Sequence, residues 1–374
     1  MLCSPASSYA MLREILEQPA VLAHVIEQYA PGTEHAAARF DPLVEVFARS
    51  ERVVISASGS SRHAGLAAEI MLEDLAGIPV DVEYASEYTY RSTHVPLHPA
   101  VLVISQSGET ADTLAALREA KARGLSTVAV TNNPRSSMAL EATVTLPTLA
   151  GVEKAIPATK SFTSQLAVLY SLALYLARLR GRMTLAAAEA HGRNLKAIPG
   201  LLERAIPAWE AAIEELAPAL QHSTSFLFLG RGVHYAIARE GALKLKESAY
   251  MNADGYPAGE LKHGPNALVS EDTPIVVLAT RDSADPDSML RYEKVLQLAR
   301  DLRDQGARIL ALATEGDDQM EAISDWCLHL PATSDLLAPL LEVVPLQLLA
   351  FHTAILRGIN VDQPRNLVKA VVSE

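Results

Sequence analysis

Apolar residues recur along the chain at two spacings, and these spacings predict its secondary structure. Short apolar runs rich in β-branched residues alternate with longer segments in which apolar residues return every three or four positions. The first pattern is typical of buried strands and the second of amphipathic helices. The predicted strands are, in order, Val53–Ser56, Val80–Val82, Val101–Ser105, Thr127–Val130, Thr143–Leu146, Ser225–Leu229, Ile275–Ala279, Ile309–Leu312 and Cys327–Leu330. Apolar strands that alternate with helices indicate parallel βαβ units.

The predicted elements repeat once along the chain. Residues 9–30 form a helix that is broken at Pro19, and a helical stretch over Thr184–Leu220 separates the earlier strands from the later ones. The corner Gly59-Ser60-Ser61 after the first strand matches Gly230-Arg231-Gly232 after the sixth. This order predicts two similar α/β domains joined by a helical connection.

Length and charge agree with a two-domain enzyme that binds a small molecule. The chain has 374 residues, 49% of them hydrophobic and only 5% aromatic, which suits helices packed on sheets. The net charge is −12 and the isoelectric point about 5.4, which argues against nucleic acid and anionic membranes as partners. A phosphorylated substrate stays compatible, because a helix N-terminus can bind a phosphate locally.

The cysteines and the most apolar stretches carry little chemistry. Cys3 and Cys327 form neither a disulfide framework nor a zinc pattern, so we expect inert thiols and no metal site. Residues 1–10 lack the pattern of a signal peptide. Gln165–Ala177 is too short to span a bilayer and Val343–Leu356 is interrupted by Pro345, so both predict buried helices. We expect a soluble, cytoplasmic protein that needs no cofactor.

Hydroxyl-rich corners follow two of the predicted strands. The segment Ser105-Gln106-Ser107-Gly108-Glu109-Thr110 lies between a strand and a helix, and Ser58-Gly59-Ser60-Ser61 occupies a similar corner. Ligands of open α/β sheets bind at the carboxyl ends of strands. An ordinary serine or threonine N-cap is the alternative, but four neutral polar side chains in six residues favour a phosphate cradle built without lysine or arginine.

Three later segments carry ionisable groups. Glu240, Lys244 and Glu247 fall on one helix face, which predicts either a solvated salt-bridge ladder or part of a site. His263 lies in the glycine-flanked loop 259–265, a context that suits acid–base chemistry. The tail over residues 362–369 ends on Lys369, which either frays with the terminus or supplies a Schiff-base amine.

Taken in order, these segments resemble the isomerase half of glutamine–fructose-6-phosphate aminotransferase and the stand-alone isomerising glucosamine-6-phosphate deaminases. The resemblance runs from about Met11 to Glu374 and is carried by LREILEQP, LAGIPVDVEYASEY, SQSGETADTL, ATKSFTSQL, LGRG, EGALKLKE, AGELKHGP, VPLQLLAFH and VDQPRNL. It implies two tandem SIS domains, each a flavodoxin-like three-layer α/β/α sandwich with a parallel sheet flanked by helices. The implied organisation is a helical leader over 1–40, domains over 41–195 and 196–360, and a tail over 361–374 that closes the active site.

The resemblance also implies roles for individual residues. Glu247 matches the base that moves a proton between C1 and C2, and His263 matches a residue that assists ring opening from the neighbouring subunit. Lys369 matches the lysine that forms a Schiff base with open-chain fructose 6-phosphate, with Glu240 and Lys244 as a supporting pair. The implied substrate-binding residues are Ser60, Ser61, Ser105, Gln106, Ser107, Thr110, Ile156, Ala158 and Val368.

Two departures from the aminotransferase family bear on function. The family's glutaminase domain is not among these 374 residues, and Cys3 is not followed by its glycine-rich start. Ala158 stands where the synthases usually have serine and looks like the deaminases, whereas AGELKHGP and the DQPRNL tail look like the synthases.

These departures favour one function and leave others open. We expect conversion of glucosamine 6-phosphate into fructose 6-phosphate and ammonia by a homodimer whose active sites are shared between subunits. The alternatives are synthesis of glucosamine 6-phosphate with ammonia or with a separate glutaminase subunit, cleavage of fructosamine 6-phosphates, and a non-catalytic sugar-phosphate sensor.

Overall fold

The computed structural model describes residues 9–47, 50–90 and 98–372, and these divide into two compact units. The first unit contains the described residues of 20–153, 160–197 and 368–372. The second unit contains residues 9–19, 154–159 and 198–367. The predicted leader and the predicted tail are therefore each divided between the units, so that Lys369 belongs to the first unit although it lies near the end of the chain.

Helices and strands alternate through most of the chain. The helices are α1 (Ala10–Leu16), α2 (Gln18–Tyr29), α3 (Glu34–Phe40), α4 (Leu43–Phe47), α5 (Gly59–Ala76), α6 (Ala85–Tyr88), α7 (Ala111–Ala122), α8 (Ser137–Glu141), α9 (Lys160–Leu179), α10 (Leu185–Leu220), α11 (Val233–Ala249), α12 (Pro286–Asp304), α13 (Asp318–Glu321) and α14 (Ala338–Leu356). The strands are β1 (Val53–Ala57), β2 (Val80–Tyr84), β3 (Ala100–Ser105), β4 (Thr127–Thr131), β5 (Val144–Pro147), β6 (Ser225–Gly230), β7 (Asn252–Pro257), β8 (Ile275–Ala279), β9 (Ile309–Thr314) and β10 (Trp326–Leu330). Short 3-10 segments cover Ala258–His263, Pro265–Leu268 and Asp335–Leu337.

Each unit is built on a five-stranded parallel sheet with the same topology. The order is β2-β1-β3-β4-β5 in the first unit and β7-β6-β8-β9-β10 in the second. In the first sheet Val53 of the second-position strand pairs with Val80 on one side and Ala100 on the other. This is the doubly wound order of flavodoxin-like sheets, in which the direction of winding reverses between the first and third strands. The predicted α/β fold with two similar domains is confirmed.

Strand β7 is absent from the prediction. Its sequence, Asn-Ala-Asp-Gly-Tyr-Pro, lacks the β-branched residues that identify the other strands. The strand lies at the edge of the second sheet and pairs in parallel with β6 from Ser225↔Asn252 to Gly230↔Pro257. Gly255 is needed there, because a Cβ would lie 2.7 Å from the Arg239 backbone of α11. Close packing under a helix therefore overrides weak strand propensity.

The predicted break in the leader is present, although it falls before the proline. Helix α1 ends at Leu16, with Glu17 as its C-cap, and α2 begins at Gln18. Pro19 therefore lies in the first turn of α2, where its missing N–H has no intrahelical partner to lose.

The two apolar stretches lie in helices that are mostly buried. Within the described ranges, Lys160–Leu179 and Asp335–Leu356 are long and apolar enough to cross a membrane, and the tested windows are 83% and 89% buried inside the protein. Core helices meet the same criterion of length and composition. Helix α9 is longer than the predicted 165–177 stretch, and Pro345 lies inside α14 instead of ending it.

Candidate functional site

The predicted phosphate cradle forms a compact turn at the carboxyl end of β3. The buried Ser105 Oγ accepts the Gly108 N–H at 3.1 Å and lies 3.0 Å from Thr110 Oγ1. The Ser107 Oγ accepts the Glu109 N–H at 3.1 Å. Thr110 is the N-cap of α7 but makes no side-chain capping bond. The predicted alternative of an ordinary capping threonine therefore does not describe this turn, and the hydroxyls instead organise a loop at a helix start.

The turn depends on the backbone conformation of Gly108. Its φ is +69°, and a Cβ there would overlap Ser136 Oγ and lie 2.5 Å from Ser136 Cβ. Its carbonyl accepts the Met138 N–H at 3.1 Å, which joins the turn to α8. The position therefore requires glycine both for its backbone conformation and for its space.

The second hydroxyl corner starts α5 directly after β1. Gly59 has φ +54°, and the Ser61 Oγ accepts a 3.0 Å hydrogen bond from Gln165 Nε2 of α9. Ser60 follows at the same corner and is half-buried. Strands β1 and β3 are neighbours on either side of the point where the winding reverses. The structure thus brings both predicted corners to one edge of the first sheet, at the usual ligand position.

A cavity opens beside the cradle. Its volume is about 570 Å³, and its lining includes Gln106, Asn132, Arg135 and Glu153. The Asn132 side chain shapes one wall, since its Oδ1 accepts the Ala150 N–H at 2.8 Å and its Nδ2 donates to the Gly151 carbonyl at 2.7 Å. The volume suits a hexose phosphate-sized ligand. Asn132 was not among the predicted site residues.

Lys369 reaches Glu153 in the first unit. Its Nζ lies 2.6 Å from Glu153 Oε2, and the carboxylate also accepts the Ser161 N–H at 3.0 Å and the Ser161 hydroxyl at 2.6 Å. The Glu153 side chain is fully buried, whereas Lys369 keeps 26% of its side chain exposed. Burial raises the pKa of Glu153, but the Lys369 charge and the Ser161 bonds outweigh it and hold that pKa below its usual value. The prediction missed Glu153, because a single glutamate in a loop gives no periodic signal.

The tail also makes a hydrogen bond within the first unit after Lys369 in the sequence. The Val371 carbonyl accepts the Ala111 N–H, the first of α7, at 2.9 Å. That bond occupies one of the helix N–H groups that the cradle prediction left for the phosphate. Val368 beside Lys369 is exposed, at 63%. The described part of the tail therefore makes specific contacts, in contrast to the alternative of a frayed terminus.

The predicted acid–base residues of α11 lie in the second unit and form a buried triad. The Lys244 ammonium lies 2.6 Å from Glu247 Oε2 and 3.3 Å from Glu240 Oε1. Lys244 and Glu240 are fully buried, and the Glu247 side chain is 22% exposed. Burial lowers the pKa of Lys244, but the two carboxylates overcome this effect and raise it above its ordinary value. Burial excludes the alternative of a solvated ladder and leaves Glu247 as the member that meets solvent.

The remaining predicted residues of the second unit lie in loops. His263 ends a 3-10 segment and is exposed, which suits contact with a partner. The Ile156 N–H donates to the Asp362 carbonyl at 3.1 Å, and Ala158 lies two residues further along that loop. The Asp362 carboxylate accepts the Ala10 and Met11 N–H groups at 2.8 and 2.9 Å, so the start of the tail holds the start of α1.

A second buried cluster was not predicted. His234 Nδ1 lies 2.7 Å from Glu342 and its Nε2 lies 3.3 Å from Asp335, all three being almost fully buried. Burial lowers the pKa of His234, but the two carboxylates raise it to about 10. Asp335 also accepts bonds from Ser288 and Arg291. The cluster lies at the carboxyl ends of β6 and β8, where the second sheet reverses its winding.

The cysteine expectations concern one described residue. Burial, with the nearby carboxylates of Glu321 and Asp317, raises the pKa of Cys327 to about 12. A thiol of this kind is a poor nucleophile at neutral pH. Cys3 lies outside the described residues.

The sequence matches one family of domains twice. Residues 46–175 and 219–357 match the family model described as the SIS domain. The chain belongs to the SIS domain family. The two SIS domains correspond to the two parallel sheets, and the family resemblance predicted from the motifs is confirmed.

Curated relatives of these SIS domains are longer proteins. Glutamine–fructose-6-phosphate aminotransferase (isomerizing) of Chlorobaculum tepidum is 42% identical over 371 residues, which cover 97% of this chain and 58% of the relative. The protein of the same name from Pseudomonas putida is also 42% identical, over 99% of this chain and 59% of its own length. The chain thus spans less than two thirds of these relatives.

Solved structures of two kinds resemble the SIS domains over most of their length. The C-terminal domain of glucosamine-fructose-6-phosphate aminotransferase from Francisella tularensis has a TM-score of 0.87 and 35% identity, covering 95% of this chain and 98% of that one. Glucosamine-6-phosphate deaminase from Thermotoga maritima has a TM-score of 0.74 and 25% identity, covering 97% and 99%.

Proposed function

We propose that this chain is a sugar-phosphate isomerase that interconverts glucosamine 6-phosphate with fructose 6-phosphate and ammonia. The observation that carries the proposal is the meeting, within the first unit, of a hydroxyl-lined cradle, a 570 Å³ cavity and a lysine that lies 2.6 Å from a buried carboxylate. A cradle of neutral groups at a helix start suits a phosphate. A lysine amine beside it suits a carbonyl carbon at the other end of the sugar.

In this proposal the first unit binds the sugar phosphate. Ser105, Ser107 and Thr110, together with Ser60 and Ser61 from the neighbouring corner, hold the phosphate by hydroxyl and backbone donors. Gln106 lines the cavity in which the sugar chain would lie. Ile156 and Ala158 from a loop of the second unit, and Val368 from the tail, are the other proposed substrate-binding residues. Lys369 forms a Schiff base at C2 of the open-chain ketose, which makes the hydrogens on C1 more acidic.

The proposed acid–base residues belong to the second unit. Glu247 is the base that carries a proton between C1 and C2, and its Oε2 lies 2.6 Å from the Lys244 ammonium. Glu240 compensates the other side of the buried ammonium. His263 assists ring opening near neutral pH and acts on the site of a partner subunit, so the proposed enzyme is a homodimer. The proposed location is the cytoplasm.

Two directions of the reaction remain as alternatives with different support. Release of ammonia from glucosamine 6-phosphate is the proposed activity of the chain by itself, and similarity to the Thermotoga maritima deaminase supports it. Synthesis of glucosamine 6-phosphate with ammonia, or with ammonia delivered by a glutaminase, is the second candidate. The higher identity to the aminotransferases favours that direction.

The test is ammonia release from glucosamine 6-phosphate by the purified chain, coupled to detection of fructose 6-phosphate. Lys369→Ala and Glu247→Gln should each lower the rate by at least about a hundredfold, as expected for loss of a nucleophile or a base. Lys246→Ala is the matched control, because Lys246 lies on the same helix and pairs only at the surface with Asp254. It should retain the wild-type rate.

The reverse assay separates the alternatives. Glucosamine 6-phosphate formed from fructose 6-phosphate and ammonium, without measurable release, would support the synthetic direction. Turnover of fructosamine 6-phosphates at rates far above those of both reactions would support an enzyme that cleaves these adducts. Tight binding of a sugar phosphate without turnover in any assay would support the non-catalytic sensor. Sedimentation should give a dimer, and a fully active monomer would contradict the shared site.

A further inference from the structure

Glu153 and Lys369 form an ion pair within the first unit. Glu153 is the fully buried acid of the first unit that faces the proposed nucleophile, at 2.6 Å. A carboxylate buried to this extent is stable only while a cation or strong donors compensate it. Ser161 supplies two donors, and Lys369 supplies the cation.

The charge beside Glu153 is conserved when a Schiff base forms. The ammonium of Lys369 and the C2 ketone give a protonated iminium and one water, so a single positive charge stays on the nitrogen. When C2 of the sugar carries an imine instead of a ketone, the Lys369 ammonium displaces it to give the same protonated iminium and one ammonia. The positive charge on the lysine nitrogen is again unchanged. The carboxylate therefore stays compensated through the substitution at C2, in either direction of the proposed reaction.

We propose that Glu153 is the counter-ion of the iminium that Lys369 forms with the open-chain sugar phosphate, and that it keeps this Schiff base protonated. Only the protonated iminium withdraws electrons strongly enough to make C1–H acidic, because the neutral imine lacks the positive charge. Glu153 is thus a positioning residue that acts through Lys369. The inference rests on the proposed function, since it requires the Schiff base.

The surroundings of Glu153 agree with a fixed negative charge. The pKa of Glu153 is held below its usual value despite burial, by Lys369 and by the Ser161 hydroxyl and N–H. Basic side chains nearby are the buried Lys160, which precedes Ser161 at the start of α9, and His24 and Arg135, which line the same cavity. The acidic neighbour of the loop after Glu153 is Glu14, whose carboxylate accepts the Lys154 and Ala155 N–H groups.

The test measures exchange of the C1 hydrogen of fructose 6-phosphate with deuterated solvent from pH 6 to pH 9.5, in wild type, Glu153→Gln and Glu153→Asp. Loss of an opposite charge at this distance lowers the pKa of a cation by about 1–3 units. In Glu153→Gln the exchange rate should fall with rising pH at least about one unit earlier than in wild type, and approach the wild-type rate at pH 6. In Glu153→Asp, which keeps the carboxylate, the pH at which the exchange rate falls should return most of the way to the wild-type value.

Controls separate a failure of folding from a failure of the inference. Glu141→Gln removes a surface carboxylate that pairs with Arg118 and should leave the profile unchanged. Affinity for glucitol 6-phosphate, which has a phosphate but no carbonyl, should be unchanged in Glu153→Gln if the cradle is intact. If Glu153→Gln does not fold, Ser161→Ala carries the test. It removes a 2.6 Å bond to the carboxylate, so Glu153 should be protonated at higher pH than in wild type. The acid limit of exchange, followed in an added profile below pH 6, should therefore move to higher pH, and an unmoved limit overturns the proposal.

Borohydride trapping distinguishes a failure of the proposed function from a failure of the counter-ion role alone. Wild type with fructose 6-phosphate should give a covalent adduct by intact mass, and Lys369→Ala should give none. No adduct in wild type refutes the Schiff base and with it the proposed function. The counter-ion role alone is refuted if wild type forms the adduct but the pH dependence of exchange does not shift in Glu153→Gln. That is the case when the exchange rate of Glu153→Gln is lowered equally at every pH, and also when it is not lowered at all.

Discussion

Replacing Gly108 by alanine should damage the proposed phosphate cradle more than the backbone strain of a left-handed residue alone explains. Any L-residue with a left-handed backbone loses roughly 1–2 kcal/mol. At φ +69° the substitution of Gly108 carries this strain. A Cβ there would also lie 2.5 Å from Ser136 Cβ and overlap its hydroxyl, so the turn and α8 must separate. Overpacking of this kind adds about 1–3 kcal/mol.

Gly124→Ala is the matched control for strain. Gly124 follows α7, has φ +73°, and a Cβ there would meet no atom within 4 Å. Both variants therefore carry the strain, and only Gly108→Ala carries the clash. We expect a total loss of about 2–5 kcal/mol in local opening free energy at Gly108, against roughly 1–2 kcal/mol at Gly124.

Hydrogen exchange followed by mass spectrometry measures this difference locally. Peptides over residues 100–123 report opening of β3 and α7, and calorimetry with glucitol 6-phosphate reports the cradle. Gly108→Ala should weaken that binding by at least about tenfold, whereas Gly124→Ala should not change it. Equal exchange and equal affinity in the two variants would refute the assignment of this turn as a cradle that only glycine allows.

Two further predictions concern the second unit, whose unfolding both tryptophans, Trp209 and Trp326, report by fluorescence. Lys244→Met leaves two neighbouring carboxylates without their cation and should destabilise the unit by about 3–5 kcal/mol. Lys246→Met removes only an exposed pair and should cost less than about 1 kcal/mol; equal losses would contradict the buried triad. The pKa of His234 is raised to about 10 in the folded chain, so the folded state holds one more proton than the unfolded state above pH 6.5. The contribution of His234 to the free energy of unfolding should therefore be complete below pH 6.5 and fall by about 1.4 kcal/mol per pH unit as the pH rises towards 10. His234→Gln should abolish that slope, and an unchanged slope would assign it to other groups.

The sequence was most informative where local chemistry and position along a strand coincide. Ser105 follows an apolar strand and precedes a helix, so its place at the sheet edge follows from the pattern alone. Burial of Lys244 could not be read in the same way, because a helical spacing of charges is compatible with a solvated face. Only the packing of α11 against its sheet decides it, with Gly241 so close to Phe228 that a Cβ would lie 2.9 Å from the ring.

Contacts between distant segments were out of reach for the same physical reason. Glu153 and Lys369 are 216 residues apart, and each has an ordinary local sequence. Strand β7 is recognised only by its backbone pairing with β6. The His234 cluster joins a helix start to residues about 100 positions later. Motifs therefore locate the groups that act locally, whereas the charges that compensate them depend on the tertiary fold.

Equal topology does not give the two sheets equal binding capacity. At the winding reversal of the first sheet, neutral hydroxyls lie beside a cavity of about 570 Å³. At the same place in the second sheet, Asp335 is already bonded to His234, Ser288 and Arg291. The cavity beside it, lined also by Thr280 and Arg281, has only about 10 Å³, roughly the room for one water. A phosphate there would have to break a compensated cluster of buried charges, which is strongly unfavourable. Internal charge pairing therefore fills the edge of the second sheet, in agreement with the proposal that the sugar phosphate binds at the first sheet.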